Sequence, residues 1–439
     1  MITLRSRWRM LGTPLVLPAV LIAAAAVSLC QETQPQVLTL DDCVRLALEA
    51  PSSVHAVDRG QSIAREQQTA ARAEMLPQFG VSAGYVYNSP LTNGPNPFSV
   101  VALNGIREYL ATADARWAVD LSGRLRAGLA LARAGRDIAV ADLEIARRDL
   151  RRAVTLAYFD MLLARRLAAL EQASLAEVSE FERRVRARLE QGDASLADLL
   201  KASAQRSQFE QRLSRARLNA TLANQVLASF WTTNVDTELA VEDVLDLPPP
   251  DVLEPGPDEA AAAVERRPEL DKLDAAGRSA DAQRKIAQAG AKPQADVVFQ
   301  YGFDVNQVQS RQRGYAAYVN LSIPVFDWFR TRSGVRAARF QREQVEFERA
   351  SAERALTREY FAARSRVSSS QERISMAQSE FNDSRENLRL VRLLYDNGEG
   401  SALDVVLSQS QVTEAGGGFY AAVAEYHRAF ADYEAAAGL

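Results

Sequence analysis

The 439-residue sequence is poor in the residues that build disulfides, zinc sites and acid–base centres. It has two cysteines, Cys30 and Cys43, and two histidines, His55 and His427. A disulfide framework or a cysteine–histidine zinc site needs more of these residues than the chain supplies. Neither histidine lies in a recognisable catalytic motif, so the composition gives enzyme chemistry little support without excluding it, and we assign no catalytic residue, metal site or cofactor.

The chain also lacks an excess of positive charge. Lysine and arginine total 52 against 56 aspartates and glutamates, which gives a formal net charge of −4 and a pI of about 5.6. Broad nucleic-acid binding requires a basic face, so nucleic acid is not an expected partner. Hydrophobic residues make up 47% of the chain and charged residues 25%, as in folded rather than disordered proteins.

Long apolar runs are confined to the N-terminus. Three arginines within the first nine residues precede an apolar run from Leu15 to Leu29, a pattern typical of an export signal peptide, which we assign to residues 1–29. The residues "VSL" before Cys30 resemble the motif that precedes a lipidated cysteine. Lipoprotein processing at Cys30 is therefore an alternative to ordinary signal cleavage. No later stretch offers the ~18 consecutive apolar residues of a membrane-spanning helix. Membrane insertion of the exported chain would therefore use β-strands.

Proline and glycine are scarce in two long stretches. Arg124–Gln191 contains no proline and two glycines, and Arg330–Asn397 contains no proline and one glycine. As a helix, each stretch would be ~100 Å long, which is typical of a coiled coil or an extended helical tube. We predict four long helices, at about 122–191, 195–230, 329–397 and 401–437.

The landmarks around these stretches occur twice, in the same order. "LPQ" (Leu76–Gln78) corresponds to "KPQ" (Lys292–Gln294), and "WAVDL" (Trp117–Leu121) corresponds to "PVFDW" (Pro324–Trp328). Ordered repetition of this kind indicates an internal duplication. We assign a first repeat at 30–245, a proline-rich linker at 246–258 and a second repeat at 259–439.

After each "PQ" the hydrophobic period changes from helical to two residues. Apolar side chains alternate with small or polar ones over ~9–11 residues, the length and pattern of a membrane-spanning strand. A half-buried sheet in a soluble domain is the alternative for any one strand. Trp117 and Trp328 lie at corresponding ends of two predicted hairpins, where an aromatic girdle is expected. The predicted strands are about 79–88, 110–120, 295–304 and 315–324.

Four strands cannot close a barrel. An open sheet edge is not tolerated in lipid, because its N–H and C=O groups would have no partners. The strands would therefore require several copies of the chain, with eight strands from two copies or twelve from three. The strand count alone does not choose between these.

Three further motifs carry a resemblance to a known family. "LTLDDCVRLALEAPS" (Leu38–Ser52), "IPVFD" (Ile323–Asp327) and "YDNGEGSALDVVLSQSQ" (Tyr395–Gln411), in duplicated order, resemble the TolC family of outer-membrane efflux channels. The resemblance implies a mainly α fold with a membrane β-barrel portion: a homotrimer with a twelve-stranded barrel and a helical tunnel through the periplasm. It also implies a passive, non-enzymatic duct that works with a periplasmic adaptor and an inner-membrane pump. Cys43 stands at a position where the family has a small residue, and we expect it to be packed without a redox role.

The heptapeptides "GDASLAD" and "GEGSALD" share glycine, serine and aspartate at the same spacing. The glycine suits the left-handed residue that ends a helix, and serine with aspartate three residues later suits a capping box at the start of the next helix. The resemblance places both turns at the periplasmic tip, in contact with the adaptor. The predicted tip residues are Gly192, Ser195, Asp198, Gly398, Ser401 and Asp404.

The helix after the second turn is expected to line the closed periplasmic aperture. Some family members have two acids there; in this chain Asp404 matches the first and Leu407 replaces the second. An aperture with Leu407 would close partly by excluding water. An exported coiled-coil scaffold or adaptor without a pore is the alternative from another functional class. The sequence does not identify the exported substrate.

Overall fold

The computed structural model describes residues 37–88, 106–245, 257–305 and 313–439. The predicted signal peptide, Cys30 and residues 246–256 of the predicted linker lie outside these residues. Residues 37–439 form one unit.

Each half of the chain contains two shorter helices, two strands and two longer helices, in that order. The first half contains, in chain order, α1 (Leu40–Glu49), α2 (Ser53–Ala73), β1 (Gln78–Tyr87), β2 (Arg107–Val119), α3 (Arg124–Gln191) and α4 (Leu196–Ala228). The second half contains α5 (Pro257–Glu265), α6 (Pro268–Ala289), β3 (Gln294–Val305), β4 (Gly314–Ser322), α7 (Arg330–Asp396) and α8 (Ala402–Ala437). This correspondence confirms the predicted duplication and fold class. The sequence analysis did not assign the four shorter helices.

An acidic residue at equivalent positions precedes each of the two longest helices, α3 and α7. The carboxylate of Asp120 accepts hydrogen bonds from the backbone N–H groups of Leu125 and Arg126, at 3.0 and 3.1 Å. Asp327 accepts the N–H of Thr331 at 2.9 Å. In both cases a side chain satisfies donors that have no partner within the helix. α3 then runs for 68 residues and α7 for 67, each ~100 Å.

The strands form one antiparallel sheet in the order β1-β2-β3-β4. Residues directly opposite one another share a face, and the register aligns Val81 with Ala113 and then with Tyr301. Within the described residues, β1 and β4 are each paired on one side only. The strand ends differ slightly from the expectation, since β2 begins three residues before 110 and β4 ends two residues before 324. The second difference has a clear cause, because Pro324 has no N–H to donate.

The core lies between the helices. α3 packs against α2, α4, α6 and α8, and α7 packs against α6 and α8. Near the middle of α3, fully buried Tyr158 donates a hydrogen bond to the carbonyl oxygen of Glu242 at 2.6 Å. Cys43 of α1 is completely buried in the same apolar cluster, and this burial raises the pKa of its thiol to about 11. The expectation of a packed Cys43 agrees with this environment.

Candidate functional site

Both long hairpins turn through the same backbone geometry. Gly192 has φ 85° and Gly398 has φ 79°, the left-handed conformation that favours glycine. The N–H groups of Gly192 and Asp193 donate to carbonyls of the last turn of α3, at 3.0 and 2.8 Å. Gly398 and Glu399 make the equivalent bonds to α7. These paired bonds are the Schellman motif, which ends a helix by satisfying its free carbonyls.

The serines that follow cap the return helices. Ser401 Oγ accepts the N–H groups of Leu403 and Asp404, at 3.1 and 3.3 Å, and the Asp404 carboxylate accepts the Ser401 N–H at 3.4 Å, which completes a capping box. In the first turn, Ser195 Oγ accepts the N–H of Asp198 at 3.1 Å. The Ser195 hydroxyl donates to the Asp198 carboxylate and holds the pKa of that acid below its usual range.

We expect Ser401→Ala to fray the first turn of α8, because two backbone donors lose their acceptor. A lost N-cap costs about 0.5–2 kcal/mol. Hydrogen exchange of the Leu403 and Asp404 amides should accelerate accordingly. Ser375→Ala is the matched control, since this exposed serine within α7 donates to the carbonyl of Glu372 and caps no helix. Equal protection of the Leu403 and Asp404 amides in both variants would contradict the capping role.

A small apolar core ties the two tips together. Phe181 and Val185 of α3 pack with α4, α7 and α8, and the ring of Phe181 meets that of Tyr395 edge-on at 5.2 Å. Arg188 lies over the Tyr395 ring at 5.0 Å and donates to the carbonyls of Tyr395 and Asp396. Gln205 of α4 donates to Ser410 Oγ of α8 at 2.8 Å. The sequence analysis missed these contacts; a basic residue in the last turn of α3 was the available signal for Arg188.

The predicted aperture residues lie on the exposed face of α8. Asp404 is exposed, and Leu407, one turn further, is 53% exposed, while Val405 and Val406 between them are buried. The structure therefore brings Asp404 and Leu407 onto one face, separate from the core beneath the tips.

The sheet has one apolar and one mixed face. Its apolar face is largely exposed: Val81 is 84% and Val319 is 67% accessible. The opposite face carries polar groups such as Ser82 beside Thr112, and Asp296 bonded to Asn320 at 3.0 Å. Such alternation is the pattern of transmembrane barrel strands. The apolar face includes Phe79, Val81, Tyr85, Trp117, Phe299, Tyr301, Tyr315, Val319 and Leu321.

The two tryptophans lie where the sheet meets the long helices. Trp117 is on the apolar face near the end of β2, and its indole N–H donates to the Met75 carbonyl at 3.1 Å. Trp328 precedes α7 and is 83% exposed, with its ring edge-on to Phe326 at 4.9 Å. Trp328 and Phe329 have φ of 53° and 64°, which is strained for large side chains. The role of Trp117 and Trp328 in an aromatic girdle stays a prediction.

None of the helices among the described residues is sufficiently long and apolar to cross a membrane. No group of three or more histidine, cysteine, aspartate or glutamate side chains in those ranges is arranged to hold a metal ion.

An open sheet with an apolar face, continued by helices of ~100 Å that turn at capped tips, defines the class of outer-membrane channel subunits. The family model described as outer membrane efflux protein matches residues 44–232 and 260–438. The chain belongs to the outer membrane efflux protein family, and its location is the outer membrane with an extension into the periplasm. The predicted resemblance is confirmed, and the family consists of channel proteins rather than pore-free scaffolds or enzymes.

Solved channel structures share the fold. The CmeC outer-membrane channel of Campylobacter jejuni has a TM-score of 0.82 at 17% identity, over 91% of this chain and 85% of that chain. VceC of Vibrio cholerae has a TM-score of 0.79 at 16% identity, over 91% and 96%. The open MtrE channel of Neisseria gonorrhoeae has a TM-score of 0.76 at 20% identity, over 91% and 88%. No curated protein sequence matches the chain.

Proposed function

We propose that three copies of this chain form the outer-membrane duct of a tripartite efflux or type I secretion system. Three open sheets close into one twelve-stranded barrel in the outer membrane, and the long helices continue it as a tunnel through the periplasm. An inner-membrane pump supplies the energy and a periplasmic adaptor joins it to the helix tips. The duct itself is passive and non-enzymatic.

The observation that carries the proposal is the pairing state of the sheet. β1 and β4 are each paired on one side only within the described residues, and the face they border is apolar. Lipid offers no partners for free backbone groups. Edge-to-edge joining of β4 in one copy to β1 in the next satisfies these groups and gives a closed barrel. Three copies place the apolar residues, including Trp117 and Trp328 as the girdle, towards lipid.

The tips supply the regulated end of the duct. The turns at Gly192 and Gly398 leave their serines exposed, and they offer the adaptor a surface with a fixed backbone. Asp404 and Leu407 form the aperture where three copies of α8 approach the axis. An acid and a leucine one turn apart allow closure by both charge and dewetting. Opening moves the helices apart in the manner of an iris without unfolding them.

A cysteine at the aperture tests this arrangement. We expect Leu407→Cys to form disulfide-linked pairs of copies on oxidation, to stop export, and to recover export when a reductant is added. Export is measured as growth of a channel-deleted host, carrying the matching pump and adaptor, in the presence of a toxic pump substrate. The physical reason is that a covalent link across the axis prevents the tips from separating.

The matched control is Leu200→Cys, whose side chain on α4 is 61% exposed and lies off the proposed aperture. It should export normally under the same oxidant. Cross-linked Leu407→Cys channels that export as well as wild type would overturn the aperture assignment. A purified protein whose mass corresponds to one copy would overturn the channel itself.

A further inference from the structure

Three consecutive glycines lie in the interior of α8. The helix nevertheless continues unbroken from Ala402 to Ala437 through Gly416, Gly417 and Gly418. Each glycine disfavours a helix about fivefold relative to alanine, because it loses more backbone freedom on ordering. A run of three in one helix therefore requires a specific reason.

Close packing accounts for only the first of them. A Cβ added to Gly416 would lie 2.9 Å from Phe381 Cε2 and 3.1 Å from Leu170 Cδ2, so these side chains of the neighbouring helices would have to shift to admit alanine. At Gly417 the nearest atom is Leu167 Cδ2 at 3.4 Å, the edge of ordinary van der Waals contact. At Gly418 no described atom lies within 4 Å. The last two glycines weaken the helix, and close packing within one chain does not require them.

The glycines separate two apolar anchors of α8. On the tip side, Ala402, Val405 and Val406 belong to the cluster around Phe181. On the other side, Val423 and Ala424 belong to the cluster around Tyr158, and Tyr426 and Ala429 form a further cluster with Val367. The tip segment and the remainder of α8 are thus held by different cores.

Between these anchors the buried side chains of α8 are mainly polar: Ser408, Gln409 and Thr413. Thr413 Oγ1 lies 2.8 Å from Ser174 Oγ, and Ser408 Oγ accepts from Asn387 at 3.2 Å. Gln409 is 3% exposed, and within the described residues neither its amide nitrogen nor its amide oxygen has a partner. Water can replace such bonds when surfaces separate, so this layer resists movement less than an apolar core does.

We propose that Gly416–Gly418 is a joint at which α8 bends when the duct opens. Bending there changes the angle of Ala402–Ala415, a lever of about 21 Å, and leaves Phe419–Ala437 seated in its clusters. The tip turn at Gly398 then moves as a capped unit. The inference rests on the proposed opening of the tips and assigns the bending point of α8 to three consecutive residues.

Two alanines placed where space is available test the joint. We expect Gly417→Ala/Gly418→Ala to keep trimer yield and outer-membrane location, because neither methyl group meets a close neighbour. Alanine favours the unbent helix about fivefold at each position, so we expect export to fall about tenfold or more. Spin labels attached at Leu407→Cys report the distances between copies at the aperture, measured with and without adaptor and pump. When Gly417 and Gly418 are intact, these distances should include a second, longer one. This longer distance should be lost in the double-alanine variant.

Gly128→Ala/Gly135→Ala is the matched control, because both glycines lie within α3 with no described atom near an added Cβ. It should export like wild type. If wild type exports and the α8 variant shows unchanged export and distances, the joint is wrong while the channel stands. If only Gly416→Ala impairs export, and does so by loss of trimers, the glycines serve packing and the joint is also wrong. A wild-type chain that supports no export would instead refute the proposed function.

Discussion

Val81→Arg is expected to abolish the assembled protein in the outer membrane. Val81 lies at the centre of β1 on the apolar face, 84% exposed and in register with Ala113 and Tyr301. An arginine facing lipid near the bilayer midplane costs about 2–4 kcal/mol, and every copy in an assembly carries the cost. The measurement is the amount of heat-resistant oligomer in outer-membrane fractions, which we expect to be lost.

Ser82→Arg is the control for that substitution. It adds the same side chain one residue away, but adjacent residues of a strand point to opposite faces. Ser82 lies beside Thr112 on the mixed face, which borders the water-filled interior in the proposed assembly. This variant should assemble at close to the wild-type level. If both variants lose the assembled oligomer equally, or if neither loses it, the apolar face does not meet lipid.

Glu269→Ala is expected to lower the stability of the helical part by about 1.5–3 kcal/mol, the usual contribution of a hydrogen bond to a charged group, because its partly buried carboxylate, 26% exposed, binds two arginines. Glu269 lies in the first turn of α6 and accepts hydrogen bonds from Arg267 at 3.0 and 3.1 Å. Arg148 of α3 lies 2.8 Å from the same carboxylate. Arg267 is only 2% exposed, so the substitution leaves buried positive charge without its main partner. The midpoint of thermal unfolding in detergent should fall substantially.

The lowered pKa of the Glu269 carboxylate predicts that folding stability depends on pH. Burial acts to raise its pKa, but hydrogen bonds from Arg267 and Arg148 outweigh burial and lower the pKa from 4.5 to about 2. A lowered folded-state pKa stabilises the protein above the unfolded value. The contribution is therefore complete above pH 4.5 and is lost as the pH falls towards 2. Glu269→Gln should lack this part of the acid sensitivity.

An exposed ion pair provides the comparison for Glu269. Glu343 pairs with Arg339 within α7 at 2.9 Å, and the arginine side chain is 72% exposed. Surface pairs of this kind contribute about 0–1 kcal/mol, so Glu343→Ala should change the unfolding midpoint little. Similar effects at Glu343 and Glu269 would contradict the structural role of the buried network.

Local patterns in the sequence were sufficient for the elements and their order. Alternation with a period of two predicts strands because successive side chains point to opposite faces. Long stretches without proline predict long helices because nothing interrupts the backbone hydrogen bonds. The glycine, serine and aspartate of the tip heptapeptides predicted turns because capping involves residues close together in the chain. Both serines are N-caps in the structure, and the complete capping box is found at Ser401 and Asp404, whereas Ser195 accepts only the N–H of Asp198 among the described residues.

Contacts between distant segments were not available from such patterns. The position of Arg188 in the last turn of α3 suggests a contact with carbonyls, but it does not indicate that these carbonyls belong to α7. The sequence also does not indicate that Arg267 and Arg148 are buried around Glu269, since their segments have the pattern of ordinary charged helices. The strain at Trp328 and Phe329 also appears only in the backbone angles.

The sequence by itself determined that this chain is a duplicated protein of long helices and four dyad-patterned strands, and that its tips are capped turns. Only the tertiary structure decided which faces are covered. It showed that among the described residues β1 and β4 are open edges of the sheet, that α8 is held by separate apolar clusters, and that a Cβ added at Gly417 or Gly418 meets no described atom of the same chain closer than 3.4 Å. The physical reason is the separation of the interacting residues along the sequence. Hydrogen-bond geometry in turns and side-chain alternation are set by near neighbours, whereas burial depends on segments brought together from far apart in the chain.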